Sequence, residues 1–459
     1  MNFAQSCHLL DFKIPQLSRL HAARMERKLD ILIIFDSANN ISISRFNPLF
    51  TTHDTCLVLF PNGTSFLFVE YIRRRAELLA AEDKLAPDLR VVVFGAPNRN
   101  GCSNLWEAIH QHMLVAVDFS RFQPALQTLL EHSEVADLAG LKIGYDRKYT
   151  LGQKIEEAEA AFPGAEFIDF TNEVDKCKSV LDEYSYRNNI IGAELVHVAF
   201  RHALQAISFH ATATEASWFA HAALETYRSY YYPSVSLAGV GARNDINLNG
   251  CDINIVQGYN RPYEESVDEV LRPGEPWTLT ILITVNGTRI EFLYTGGNGM
   301  PRKQSIAMKL GLAMQVRLSD QYKPNITFDE MYNDSNSYAS ARGFKISRRR
   351  IGHGINLPVH APGSIIMGNR SVIPLGFAIT YQPPIIGMDE SGGPIHALFG
   401  NTCIMMDQGL MPITSSDPEM RGNDKIWTIY GQTMPKPEWK KAANFHKSYE
   451  SYRTWRAQL

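Results

Sequence analysis

Residues 275–296 read EPWTLTILITVNGTRIEFLYTG, with valine, isoleucine and threonine alternating with polar residues on both sides of Asn286-Gly287. Asn-Gly suits a tight hairpin, because both central residues of such a turn need positive φ. The stretch therefore predicts two antiparallel strands. Upstream, EYSYRNNIIGAELVHVAFRHALQAISF (183–209) and EASWFAHAALETYRSY (215–230) place apolar residues at helical spacing. Downstream, GFAITYQPPII (376–386) and NTCIMMDQG (401–409) read as further strands. The tail, 435–459, reads as an extended stretch followed by a terminal helix. From about Tyr231 onward the texture is that of an α+β domain with antiparallel pairing.

The first third differs. LSRLHAARMERKLD (17–30) has helical spacing and ILIIFDS (31–37) is a compact apolar run, read as a buried strand. DTCLVLFPNGTSFLFVE (54–70) reads as a hairpin around Pro61-Asn62-Gly63, and RVVVFGAP (90–97) and LKIGYD (141–146) as more strands with helices between them. The expected organisation is an α/β domain over 1–175 and an α+β domain with its tail over 176–459.

Composition bounds the function. Of 459 residues, 45% are hydrophobic and 20% charged, as in a soluble globular protein. Lys+Arg of 45 against Asp+Glu of 48 gives a net charge of −3, which argues against nucleic-acid binding. No apolar run approaches the roughly 20 residues of a membrane span, and the first 20 residues carry no signal-peptide pattern. The six cysteines are scattered without a CxxC pair, so they read as reduced, mostly buried thiols of a cytoplasmic protein.

Two histidines, His353 and His360, stand seven positions apart in RRRIGHGINLPVHAPG (348–363). Together with the hairpin, with RMERKLDILIIFDSANNISISRF (24–46) and with KSVLDEYSYRNNIIGAE (178–194), this segment resembles the pita-bread family of creatinase, aminopeptidase P and prolidase over nearly the whole chain. The resemblance implies an α/β N-terminal domain plus an α+β pita-bread C-terminal domain. The family's metallopeptidases hold two metal ions on five ligands. Here Thr280 stands five residues beyond Glu275, at the first aspartate, and Glu291 eleven further on, at the second. His353 matches the histidine ligand and His360 a substrate-contacting histidine. Gln382 replaces one glutamate, and Gly400 falls where the last belongs, with Asn401 as a one-residue alternative. Two close dications need several carboxylates, so the expectation is a dismantled metal site and no metal or other cofactor.

Creatinase keeps the fold without metals and uses a histidine base. At that position the resemblance gives Tyr263, or Tyr259 with a short insertion, and Leu293 replaces a creatinase glutamate. The expected pocket set is Glu291, His353, His360 and Tyr259 or Tyr263 as catalytic groups, with Gln382 and Thr280 as binding groups. A buried carboxylate can act as base or nucleophile, a histidine can pass protons, and a tyrosine can donate to a developing negative charge. The loop SISRFNPLF (42–50) is the part of the N-terminal domain expected to approach a dimer mate's site, with Arg45 or Phe46 as contributors. The expected function is metal-independent hydrolysis of a non-peptide C–N bond in a small, nitrogen-containing, amino-acid-like compound, by a homodimer. A lyase or cyclase, a non-catalytic binding protein and an Xaa-Pro peptidase are the alternatives.

Overall fold

The computed structural model describes residues 16–44, 55–70, 89–94, 114–116, 140–233, 235, 237, 251–258, 266, 268–346, 350–355, 361–415 and 426–458. The chain forms two compact units, one from Phe12–Lys178 and one from Ser179–Gly239 and Asp245–Leu459.

The first unit runs α1 (Gln16–Glu26), β1 (Ile31–Ile34), α2 (Ser37–Ser44), β2 (Thr55–Leu59), β3 (Ser65–Glu70), β4 (Leu89–Phe94), β5 (Leu114–Ala116), β6 (Lys142–Tyr145), α3 (Gly152–Ala161), β7 (Glu166–Asp169) and α4 (Thr171–Ser179). The strands form one sheet in the order β5-β4-β3-β2-β1-β6-β7. β2 is antiparallel to both neighbours and the remaining pairs are parallel. β1 is buried throughout because it pairs on both edges, as a continuous apolar run requires. The hairpin read around residues 61–63 is the β2–β3 turn, with Gly63 at φ 85°. Part of 42–50, read as a loop, is helical: Ser42, Ile43 and Ser44 close α2.

A buried carboxylate pins the end of β1. Asp146 accepts hydrogen bonds from the Phe35 and Asp36 amides (2.9 and 3.2 Å), from Asn39 Nδ2 (2.8 Å) and from Thr150 Oγ1 (3.0 Å). Burial outweighs these donors and pushes its pKa up to about 6.

The second unit opens with α5 (Glu183–Ser208), capped by the Asp182 carboxylate accepting from Ser185 N, and α6 (Ala213–Tyr231), started by a Thr212–Glu215 capping box. Then follow β8 (Cys251–Gln257), β9 (Trp277–Val285), β10 (Thr288–Gly296), α7 (Arg302–Val316), α8 (Leu318–Gln321) and α9 (Phe328–Ser340). β11 (Lys345–Ile346), β12 (Arg350–Gly354), β13 (Ala361–Ile366), β14 (Ala378–Tyr381), β15 (Pro384–Met388), β16 (Pro394–Leu398), β17 (Gly400–Met406) and β18 (Gly409–Pro412) come next. The main sheet is ordered β13-β12-β14-β17-β10-β9-β8, with β18 on β17. Asn286 and Gly287, at φ 45° and 87°, make the tight β9–β10 turn.

One face of this sheet is covered by helices. Ile281, Ile283, Ile290 and Phe292 pack with Leu195 and Phe200 of α5 and Phe219 of α6. α5 lies so close that a Cβ on Gly192 would stand 2.3 Å from Ile290 Cδ1. Tyr381 and Cys403 pack with Leu310 and Met314 of α7 and Phe328 of α9. Strand alternation sends Thr280, Glu291, Thr380 and Thr402 to the other face.

Two sequence readings are corrected here. GFAITYQPPII is two strands in different sheets: β14 in the main sheet and β15 in a three-stranded sheet with β11 and β16. Pro383 lacks an N–H for the ladder and ends the first. The tail holds two short helices rather than one, α10 (Trp439–Asn444) and α11 (Tyr449–Arg456). It is tied down by Tyr186 Oη donating to Pro435 O (2.8 Å) and by Glu438 N donating to the buried Glu194 carboxylate (2.6 Å). Cys56, Cys177, Cys251 and Cys403 are buried free thiols, as their scatter implied.

Candidate active site on the open face of the main sheet

Pairing register assembles the site. β12 against β14 places His353 opposite Thr380, and β14 against β17 places Thr380 opposite Thr402. β17 against β10 continues the row: the Glu291 amide donates to Thr402 Oγ1, which donates to the Glu291 carbonyl, both at 2.9 Å. The row runs on through Leu282 to Asp252 on β9 and β8. A second row, one pleat further, holds Gly400, Leu293, Thr280 and Asn254. Residues opposite one another share a face, so six strands, from Asp252 on β8 to Thr402 on β17 in chain order, bring side chains to one surface.

Three sequence-predicted residues meet there. His353 Nε2 lies 3.5 Å from Glu291 Oε2 and 3.2 Å from Gln382 Nε2. His353 Nδ1 lies 3.0 Å from the Gly354 carbonyl. A carbonyl can only accept, so Nδ1 carries the proton and Nε2 presents its lone pair to the Gln382 amide. Glu291, His353 and Gln382 are all buried. Thr380 Oγ1, 3.4 Å from the His353 carbonyl, steadies the strand beneath the imidazole. Thr280 is buried in the adjoining row. Tyr259, Tyr263, His360, Arg45 and Phe46 lie outside the described residues. The sequence did not single out Thr402 and Thr380. A lone threonine in a strand carries no local signal, and only the register shows what it braces.

The donor set does not fit a pair of divalent ions. Around the His353 imidazole it offers one carboxylate and one neutral amide, with Asp252 two strands beyond Glu291 in the row. Gly400 has no side chain, and the space for one is filled: a Cβ there would stand 2.5 Å from Leu293 Cδ1 and 3.0 Å from Gln382 Cβ. Among the described residues no three His, Cys, Asp or Glu side chains gather in a way that could hold a metal ion.

A helix-backed, antiparallel sheet with buried polar groups on its other face, following a separate α/β unit, defines a two-domain pita-bread protein. Comparison with known proteins agrees. The creatinase/prolidase N-terminal domain matches residues 16–180, and metallopeptidase family M24 matches residues 191–404. The chain belongs to the pita-bread family of creatinases, aminopeptidases P and prolidases.

Its fold is similar to that of an Xaa-Pro dipeptidase from Bacillus anthracis, at 16% identity and TM-score 0.65, over 88% of this chain and 97% of that one. It is similar to the prolidase from Pyrococcus furiosus, at 15% identity and TM-score 0.60, over 86% and 99%. The N-terminal domain of the FACT complex subunit SPT16 from chickpea also matches, at 12% identity and TM-score 0.58, over 89% and 98%. None of the curated proteins compared with the chain matches it. No helix among the described residues is long and apolar enough to cross a membrane.

Proposed function

We propose that the chain is an enzyme that hydrolyses a non-peptide C–N bond in a small, nitrogen-containing, amino-acid-like compound, using its own side chains rather than a dinuclear metal centre. The observation that carries this reading is the buried contact of His353 Nε2 with Glu291 Oε2 at 3.5 Å, beside Gln382. In this mechanism water takes the place of the Gln382 amide on the Nε2 lone pair. His353 removes a proton from the water as its oxygen adds to the substrate carbon. The Glu291 carboxylate stabilises the imidazolium so formed. The C–N bond then breaks, and the leaving nitrogen takes the proton from His353. The net change is addition of one water, and both side chains return to their starting states. The same groups could serve elimination or ring closure.

A second reading, a metal-dependent Xaa-Pro peptidase, is favoured by the comparisons more than the first. The M24 family is a metallopeptidase family, and the Bacillus and Pyrococcus proteins are named for dipeptide cleavage. Against it stands the donor set, with Thr280 and Gly400 at two of the five family ligand positions. The FACT subunit likeness supports a binding protein in the same way, at the level of fold.

One experiment separates the three. The protein is screened by thermal shift against guanidino, amidine and cyclic amino-acid compounds, and compounds that bind are assayed for turnover in EDTA. Turnover in chelator that falls about 100- to 10,000-fold in both Glu291→Gln and His353→Ala supports the proposal. Cleavage of alanyl-proline that needs added divalent metal replaces it with the peptidase reading. Binding without turnover replaces it with the binder.

A further inference from the structure

Gln382 stands where the chain leaves the main sheet. β14 ends at Tyr381, Pro383 has no N–H to give, and β15 begins at Pro384 in the three-stranded sheet. Phe399 marks the return crossing, between β16, which ends at Leu398, and β17, which begins at Gly400. Backbone groups where a ladder ends take partners from elsewhere. Here one buried side chain from α7 spans both crossings. Gln315 donates through Nε2 to the Phe399 carbonyl (2.9 Å) and to the Tyr381 carbonyl (3.4 Å). An amide nitrogen has two hydrogens, and both are used. Its Oε1 accepts from Asn401 Nδ2 (3.0 Å), Asn401 Oδ1 accepts from Thr414 Oγ1 (3.0 Å), and Thr414 Oγ1 accepts from the Thr402 amide (3.0 Å). Asn401 and Thr414 are buried as well. The Tyr381 carbonyl and the Gln382 N–H belong to one planar peptide unit. Gln315 holds its oxygen, and its N–H donates to the Ile351 carbonyl (2.8 Å), so the unit is pinned at both ends. The Gln382 side chain leaves from that pinned backbone and places Nε2 3.2 Å from His353 Nε2.

We propose that Gln315, oriented by Asn401 and Thr414, is a positioning residue that holds Gln382 so that its amide stays on the His353 Nε2 lone pair. Gln315 touches no reacting atom, and its effect passes through the peptide unit it pins. Asn401 sets which way the Gln315 amide faces: with Oε1 engaged by Asn401, Nε2 is turned to the two carbonyls. The family resemblance places no site residue at Gln315 or Thr414. Asn401, the one-residue alternative to Gly400, is turned to α7 and not to His353. This inference rests on the metal-independent hydrolase reading for what the lone pair does, but the contact it predicts does not.

The test uses the full chain without substrate and reads the imidazole 15N spectrum at mildly alkaline pH, with His353→Ala assigning His353 among the 14 histidines. Gln382→Met supplies the signature of an imidazole whose Nε2 has lost its amide donor, a downfield shift of that nitrogen. Gln315→Met keeps the volume and loses all three hydrogen bonds of the side chain, and is expected to reproduce most of that shift. Asn401→Ala and Thr414→Val are expected to move the signal part of the way in the same direction. Leu310→Ala removes a buried apolar side chain from the same helix and is expected to lower stability while leaving the signal in place. A wild-type signal in folded Gln315→Met overturns the proposal, as does one in Gln382→Met or an equal shift in Leu310→Ala. Where Gln315→Met does not fold, wild-type signals in both Asn401→Ala and Thr414→Val overturn it. Turnover separates the two ideas: shifted signals in the variants, with no compound turned over by the wild type, end the hydrolytic reading and leave the positioning role standing.

Discussion

At Gly400 the obstacle to any larger side chain is steric. Leu293 and Gln382 pack across Gly400, so adding a side chain there would overfill the sheet face. Gly400→Ala is expected to lower stability by ~1–3 kcal/mol, as overpacking does, and Gly400→Ala with Leu293→Ala to regain part of that loss. Chemical denaturation of the three proteins measures both. Thr402 acts oppositely, as support. Its hydroxyl both accepts from the Glu291 amide and donates to the Glu291 carbonyl. Thr402→Val keeps the volume and leaves both backbone groups unmet, a cost of ~1–3 kcal/mol. With Glu291 released, turnover of any substrate should fall more than substrate binding does, which steady-state kinetics would resolve.

The β9–β10 hairpin carries Thr280, Glu291 and Arg289 on one face and the helix-facing Ile281, Ile283, Ile290 and Phe292 on the other. Its register is fixed at the turn, where Gly287 sits at φ 87°. A Cβ in that left-handed region costs ~1–2 kcal/mol, so Gly287→Ala should be destabilising by that amount. Because a slipped register would send Glu291 to the helix side, the variant should also lose activity disproportionately. Amide exchange across 277–296 would show the loosened ladder. The hairpin was legible in the sequence because turn chemistry and alternation are local. The split of 376–386 into β14 and β15 was not, since both halves are apolar and only the partner strands reveal that they belong to different sheets. The two helices of the tail were likewise hidden, because their positions depend on α5 groups such as Glu194 and Tyr186.

At the scale of the whole molecule, pH acts on the first unit through Asp146. The folded first unit holds Asp146 at a pKa of about 6, above the value near 3.8 of an unstructured aspartate. A raised carboxyl favours the folded state fully at low pH and loses that contribution as pH rises through about 6. The stability of wild type relative to Asp146→Asn should therefore fall between about pH 4 and pH 6, by an amount on the order of 3 kcal/mol, and level off above. Calorimetry of the two proteins across that range checks it; a flat difference would refute the assignment.

Residue order alone determined the alternation of helices and strands, both hairpins, the presence of two domains and the family, because these follow from local periodicity, turn residues and spaced motifs. It also grouped Glu291, His353, His360, Gln382 and Tyr259 or Tyr263, through the resemblance and not through proximity in the chain. Tertiary structure alone decided that Glu291, His353 and Gln382 share one buried surface, that Thr402 and Thr380 brace them, that Leu293 packs against Gly400, and that Arg289 and Thr284 lie on the same face of the sheet. Those neighbours are set by ladder hydrogen bonds between strands far apart in sequence, and no local pattern encodes which residue will face which across a sheet.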